Sequence, residues 1–263
     1  MSRPHVYRTE AVVLRQRRIG DADKICVLFT PKYGRIEAIA KGVRRPRSRL
    51  AGHVEPLTKT TLLIASGRTL DIITQAQSIT SYPNIHGDID RLSRALYVSE
   101  MIDRFTDTVD DVESLYSLLI HTLERISSTR NVDLPIRWFE MQMLIDQGYH
   151  PELMKCVHCQ IALGLSGNAF SAQSGGVLCS TCRSKFPGRP LSDSAFKLLR
   201  FLQSPSYSDV QRIRVDESLQ REIELHLRSA IHQVIERDVF TGKFIDTIRL
   251  IQKPQDSAKT ASF

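Results

Sequence analysis

Four of the five cysteines stand in two CxxC pairs, Cys156-Val157-His158-Cys159 and Cys179-Ser180-Thr181-Cys182, with nineteen residues between them. Each pair puts two sulfurs on one tight turn, and two such turns can close a tetrahedron of thiolates around Zn²⁺, with Zn–S near ~2.3 Å. Two disulfides, or four buried thiols without metal, are the other chemistries open to these residues. Four thiolates fill every coordination position, leave none for an activated water, and weaken the metal as a Lewis acid. The sequence has neither HExxH nor an HxE ahead of Pro-Cys-x-x-Cys, the patterns of zinc proteases and zinc deaminases. The expectation is one structural zinc ion per chain on Cys156, Cys159, Cys179 and Cys182, and no catalytic role for it. His150 and His158 are not needed as ligands once the four thiols are paired.

A second chemistry is carried by Lys41-Gly42-Val43-Arg44-Arg45-Pro46-Arg47-Ser48-Arg49, which holds five cations in nine residues. No acidic residue occurs between Glu37 and Glu55 to neutralise them. A guanidinium is planar and permanently charged, and it grips a phosphate through two parallel hydrogen bonds. Lys41, Arg44, Arg45, Arg47 and Arg49 are the candidate phosphate contacts, and Lys24, Lys32 and Arg35 extend the positive surface if the flanking strands curl together. Taken alone, such a run could be a solvated loop that aids solubility. The charge distribution argues for more. Residues 1–80 hold 15 Lys+Arg against 6 Asp+Glu, a net of +9, and the remaining 21 against 23 leave −2. A polyanion-binding module is thus joined to a nearly neutral one. Residues 8–81 contain only Phe29 and Tyr33 as aromatics, too few for base stacking to dominate. The expected mode is electrostatic, on the phosphate backbone, with little base readout.

These residues need a scaffold. Thr9–Arg15, Lys24–Thr30, Arg35–Ala40, Leu57–Ala65 and Thr69–Ile79 read as strands, separated by turns at Gly20-Asp21, Pro31 to Gly34 and Ser66 to Arg68. Five short strands in about eighty residues fit a small closed barrel, with the OB-fold the first choice and an SH3-like barrel the second. After Tyr82-Pro83 the period becomes helical. One face carries Leu92, Ala95, Leu96, Ser99, Ile102 and Phe105. A second helix, capped by Asp110, carries Val112, Leu115, Leu119, Leu123 and Ile126. Asp133 and Pro135 open a third helix that runs to about Gly148. The glycine-containing cysteine segment follows, then a helix capped by Ser192, and then a long one from Leu219 through Val234.

The fold class is therefore α+β. It has a five-stranded OB-fold barrel at 1–82, an α-helical domain at 83–252 with a zinc module at about 153–187, and a disordered tail at 253–263. Cys26 reads as a buried core thiol, Trp138 and Phe139 as core packing, and Asp21 with Asp23 as a solvated turn beside Lys24. No secretory apolar core and no run of ~18 apolar residues occur, so a cytoplasmic protein without membrane contact is expected.

Several stretches taken in order resemble the RecO family of bacterial recombination mediators. They are Gly20-Asp21-Ala22-Asp23-Lys24, Leu28-Phe29-Thr30 with Gly34-Arg35, Ala40 to Arg45 with Ser48-Arg49, and Gly175-Gly176-Val177-Leu178-Cys179 leading into the second cysteine pair. The resemblance implies binding of single- and double-stranded DNA, strand annealing, and displacement of single-stranded DNA-binding protein. It also implies help from the partner RecR in loading RecA, a docking site for the acidic tail of single-stranded DNA-binding protein in the helical half, and a place at the nucleoid. None of this needs covalent chemistry, and no nucleotide-binding P-loop is present. The competing classes are an OB-fold RNA-binding protein of translation or ribosome assembly, and a zinc-dependent nucleic-acid hydrolase.

Overall fold

A computed structural model of the chain describes residues 5–105 and 111–235. Five strands lead: β1 (Val6–Ile19), β2 (Asp23–Thr30), β3 (Gly34–Ala40), β4 (Lys59–Ala65) and β5 (Asp71–Thr80). They close into a barrel in the order β1-β2-β3-β5-β4. All pairings are antiparallel except β3 with β5, where Ala38 faces Asp71 and Ile39 faces Ile72. This is the five-stranded Greek-key arrangement of the OB-fold.

Alternation divides the strand residues between two cores. Ala11, Val13, Cys26, Leu28, Ile36, Ala38, Leu62 and Ile64 fill the barrel interior. Val12, Leu14, Val27 and Phe29 point outward and join the larger core of the helical region. A bulge in β1 sets this division at its middle. Val13 opposes Leu28, but the next pair is Arg15 with Val27, which leaves Leu14 as the extra residue. Strict alternation would turn Arg15 inward with Ala11 and Val13; the bulge resets the phase and turns it outward beside Val27.

The helical region comprises α1 (Pro83–His86), α2 (Ile89–Phe105), α3 (Val112–Ser128), α4 (Asp133–Asp146), α5 (Asp193–Leu202), α6 (Tyr207–Val210) and α7 (Glu217–Ile235). Helices α2 and α3 cover the outward apolar face of the barrel. Phe29 lies 6.1 Å from the Tyr116 ring, and Ser99 Oγ donates to the Leu14 carbonyl at 2.9 Å. Under α7, the buried Arg137 and Glu140 of α4 pair at 3.1 Å, and Tyr97 Oη donates to Glu140 Oε1 at 2.6 Å. Between α4 and α5 a small sheet of β6 (Ala169–Ser171), β7 (Gly176–Leu178) and β8 (Arg189–Pro190) carries the second cysteine pair.

Some details differ from the sequence reading. Strand β1 extends to Ile19, because its Arg-rich half still pairs with β2. Strand β4 starts at Lys59; Leu57 sits at φ 64°, donates its N–H to Val13 O at 2.7 Å and buries its side chain under the helices. Asp110 lies outside the described residues, and Asp111 caps α3 through Oδ1 on Ser114 N at 3.0 Å. Ser192 caps α5 as expected, its Oγ accepting from Ala195 N at 3.1 Å. The expected tail and the end of the expected helical domain lie outside the described residues.

Candidate metal centre and nucleic-acid interface

The basic loop leaves β3 at Ala40 and is held at its root. Gly42 takes φ +63°, a conformation costly for a side chain, and its N–H donates to Asp23 Oδ1 at 2.7 Å. Arg44 N donates to Ala22 O at 2.9 Å, and Arg44 NH1 to Asp21 O at 2.9 Å. The Asp21–Asp23 turn is therefore the anchor of the loop. Val43 is buried in the barrel core and Leu50 rests against it, so two apolar residues pin the ends of the arginine run. Between them Arg44, Arg45 and Arg47 are exposed, as are the flanking Lys41 and Arg49. None of the five forms an ion pair among the described residues. The loop thus presents five unneutralised cations from a fixed root.

Lys24 and Arg35 are placed differently. Lys24 Nζ donates to Gln16 Oε1 at 2.7 Å and reaches Glu55 at 3.4 Å. Arg35 donates through Nε to Asp103 Oδ1 at 2.6 Å and through NH2 to Glu37 at 3.0 Å. Both are already engaged within the chain. Lys32 lies 5.7 Å from the Tyr33 ring, and Tyr33 packs edge-on against Tyr7 at 4.8 Å. Phe29 is buried under the helices, so neither aromatic offers an open stacking platform.

The four cysteines converge. Their Sγ atoms all lie within 4.8 Å of one another, and Cys159 Sγ is 3.7 Å from Cys179 Sγ across the two turns. A tetrahedral site with metal–sulfur distances of ~2.3 Å has sulfur–sulfur edges of ~3.8 Å. The spacing fits a metal tetrathiolate, and all four cysteines are free of disulfides. Backbone donors shape the first turn and reach its sulfurs: Gln160 N donates to Cys156 O at 2.9 Å and Cys179 N to Cys156 Sγ at 3.4 Å. In the second turn Cys182 N points at Cys179 Sγ at 3.4 Å. Burial opposes ionisation of Cys156, but N–H groups of Cys159, Cys179 and His158 outweigh it and push the thiol down to about 6. Cys179 is lowered chiefly by the N–H of Cys182. Cys182 is pushed up to about 12 by burial and by its sulfur neighbours. The last proton therefore leaves readily only when a cation compensates the accumulated charge.

The two turns are joined by backbone. Glu152 N and O bond Gly175 O and Val177 N, both at 3.0 Å, and Val157 N donates to Val177 O at 3.0 Å. A side chain at Gly176 would start 2.4 Å from the Glu152 carbonyl oxygen, so only glycine allows this approach. Arg200 of α5 donates twice to Leu153 O, at 3.0 and 2.8 Å, and Leu153, Cys156, Val177 and Leu178 lie in the helical core. His158 stacks on Phe186 at 3.8 Å and is not among the clustered donors. Cys26 lies in the barrel core, where burial pushes its thiol up to about 11. Trp138 is a core residue; its Nε1 donates to Ser204 O at 3.0 Å, and its ring faces Arg125.

Two residues of consequence escaped the sequence reading. Arg15 and Asp103, from β1 and α2, meet at 2.6 Å on the carboxylate that also holds Arg35. The only sign of Arg15 in sequence is its place in the Arg15-Gln16-Arg17-Arg18 run; Asp103 has none.

Residues 1–82 match the family model described as recombination protein O N terminal, and residues 86–241 that described as recombination protein O C terminal. A DNA repair protein RecO of Dehalococcoides mccartyi (strain CBDB1) is 34% identical over 250 residues, 95% of this chain and 99% of the relative. Another, of Roseiflexus sp. (strain RS-1), is 34% identical over 261 residues, 99% of this chain and 92% of the relative. A third, of Pelotomaculum thermopropionicum, is 33% identical over 254 residues, covering 96% and 97%.

Proposed function

The chain belongs to the RecO family, and on that footing we propose that it is a non-enzymatic recombination mediator of DNA repair. In this reading it binds single- and double-stranded DNA through backbone phosphates and anneals complementary strands. With RecR it helps load RecA onto DNA covered by single-stranded DNA-binding protein, whose acidic tail docks on the helical half. Its place of action is the nucleoid.

The observation that carries the reading is the pinned loop of Lys41, Arg44, Arg45, Arg47 and Arg49, five exposed cations on an OB barrel without carboxylate partners among the described residues. Phosphate contacts of this kind hold both nucleic-acid forms, because they read charge and spacing and not bases. Annealing needs nothing more: a protein that screens phosphate repulsion between two strands lowers the barrier to pairing without covalent chemistry. Lys24 would contribute to the surrounding potential with its own carboxylate pair intact, and Arg35 adds to it from the same barrel.

For the metal we favour Zn²⁺ on Cys156, Cys159, Cys179 and Cys182. A closed sulfur tetrahedron suits this ion, offers no open position for water or substrate, and gives the site a structural role. When bound, the ion supplies a cross-link between the two turns; no step of DNA handling passes through it. The division into a DNA-binding unit at 1–82 and a helical unit from 83 onward follows the same division of labour.

The test is annealing of complementary oligonucleotides by purified protein, with and without single-stranded DNA-binding protein on the strands. Faster annealing of both bare and covered strands, falling steeply with salt, is expected. No acceleration on either substrate, or a clear preference for matched RNA strands, overturns the reading.

A further inference from the structure

Resting on the reading of this chain as a binder of nucleic-acid phosphates, we propose that Asp103 is a latch occupying a second phosphate site. The site is formed by Arg15 and Arg35 on the outer face of the barrel, and the DNA backbone displaces the latch. The geometry is that of an oxyanion gripped by two guanidinium groups. Asp103 Oδ2 accepts from Arg15 Nε at 2.6 Å and Oδ1 from Arg35 Nε at 2.6 Å. Paired arginines suit a phosphate at least as well, since it offers more acceptor oxygens and equal or greater charge.

The carboxylate is held by little else. Asp103 stands in the last turn of α2, where the helix dipole disfavours negative charge. Its lowered pKa reflects the two arginines, whose hydrogen bonds and charge outweigh the opposing cost of burial. Arg15 spends only its Nε on the latch, and its side chain remains 49% exposed, so the rest of its guanidinium stays open to a ligand. Beside it a cavity of about 390 Å³ opens between β1 and α2, lined by Leu14, Arg15, Leu96, Ser99, Asp103 and Arg104 among others. There is room there for a phosphate without moving the barrel.

The site is also in line with the loop. Arg35 is the second residue of β3 and Lys41 follows the strand's end, six residues on. At ~3.3 Å per strand residue that is ~20 Å, the rise of about six nucleotides at ~3.4 Å each. Arg17, also outward and 53% exposed beside Glu37 at 3.7 Å, lies in the strand row between them. A strand engaged by the loop and running back along β3 therefore reaches the rows of Arg17, Arg15 and Arg35 in turn. The latch occupies two of these arginines with one carboxylate until a polyanion arrives.

Fluorescently labelled single strands and their duplexes, titrated across a salt series, test this. Asp103→Asn should bind about tenfold tighter than the unaltered chain at low salt. Its log–log salt slope should stay close to that of the unaltered chain, because the same phosphates are contacted once the latch is displaced. Losing both arginines should instead flatten the slope by ~1.4 for single strands and ~1.8 for duplex, the value for two phosphates no longer neutralised. Glu10→Gln, which removes a barrel carboxylate facing Lys59 at 3.2 Å, controls for net charge alone. Adding Arg15→Gln and Arg35→Gln to Asp103→Asn should abolish the gain. An Asp103→Asn response equal to that of Glu10→Gln, or a gain surviving loss of both arginines, overturns the latch while leaving loop binding intact. Should the arginine variants fail to fold, hydrogen exchange on the unaltered chain decides. Saturating DNA should lower amide protection in the last turn of α2, and unchanged or higher protection there counts against displacement. If the unaltered chain binds neither DNA form, the underlying reading fails and the latch with it.

Discussion

Asp23 Oδ1 accepts a hydrogen bond from Gly42 N at 2.7 Å, and this single bond ties the root of the arginine-rich loop to the start of β2. It needs Gly42 at φ +63°, a conformation that costs a side chain about 1–2 kcal/mol. Gly42→Ala changes no charge and meets only ordinary contacts with Arg45, so it isolates the value of the fixed root. DNA affinity should fall a few-fold with the salt slope unchanged, measured by anisotropy titration. A reduced slope would show that the loop charges had been repositioned and not merely loosened.

The loop charges themselves set the slope. Replacing Arg44, Arg45 and Arg47 together by Ala should weaken binding to all sequences alike and flatten the log–log salt plot by about one for each phosphate no longer gripped. Thermal stability should hardly move, because all three side chains are exposed. Unchanged affinity would place the DNA site elsewhere on the barrel.

Metal removal should act on the helical half first. The four sulfurs join Glu152–Ile161 to Val177–Phe186, and the segment has only a three-stranded sheet of its own. Cys159→Ser with Cys182→Ser, or strong chelation, should release one equivalent of zinc per chain and raise hydrogen exchange throughout the module. Duplex binding by the loop should persist in any preparation whose barrel remains folded. Loss of DNA binding with all exchange protection retained would contradict this separation.

Buried charge makes α4 sensitive. Arg137 and Glu140 are both buried, and Glu140 also receives the Tyr97 hydroxyl. Arg137→Met strands the carboxylate and should cost about 3–5 kcal/mol of unfolding free energy. Adding Glu140→Gln, which still accepts from Tyr97, should restore much of that loss in a denaturant titration. A single variant as stable as the parent would mean that solvent reaches Glu140.

His226 gives α7 a pH dependence. Its ring is buried against Phe170 at 5.4 Å; burial lowers its pKa, outweighing Glu222 at 3.7 Å, while the charge of Arg189 adds to the lowering. The folded state thus binds a proton less readily than the unfolded one. The stability from this group is present above the ordinary histidine value of ~6.5 and is lost as pH falls. His226→Leu should remove that part of the stability slope between about pH 7 and 5. Identical slopes for the two proteins would place the titration on other groups.

Much of this was legible in the residues because it is local. CxxC spacing brings sulfurs together on any tight turn, and the alternation of Ile36, Ala38 and Ala40 marks an inner strand face whatever lies around it. The +9 charge of the first eighty residues locates a polyanion surface without coordinates. The three short strands around the cysteines were not legible, since two or three residues carry no period.

The cysteine quartet, the five-strand barrel, the helical second half and the exposed arginine loop were therefore determined by sequence, through periods and spacings that act over a few residues. Which cations are free was decided only by tertiary structure. Arg35 and Arg44 look alike in sequence, yet Arg35 is held by Asp103, sixty-eight residues away, while Arg44 has only a backbone carbonyl. Arg15 reaches the same carboxylate because a one-residue bulge turns it from the inner to the outer face. Electrostatic partnership depends on distance in space, and a bulge and a helix end created that proximity without any pattern along the chain.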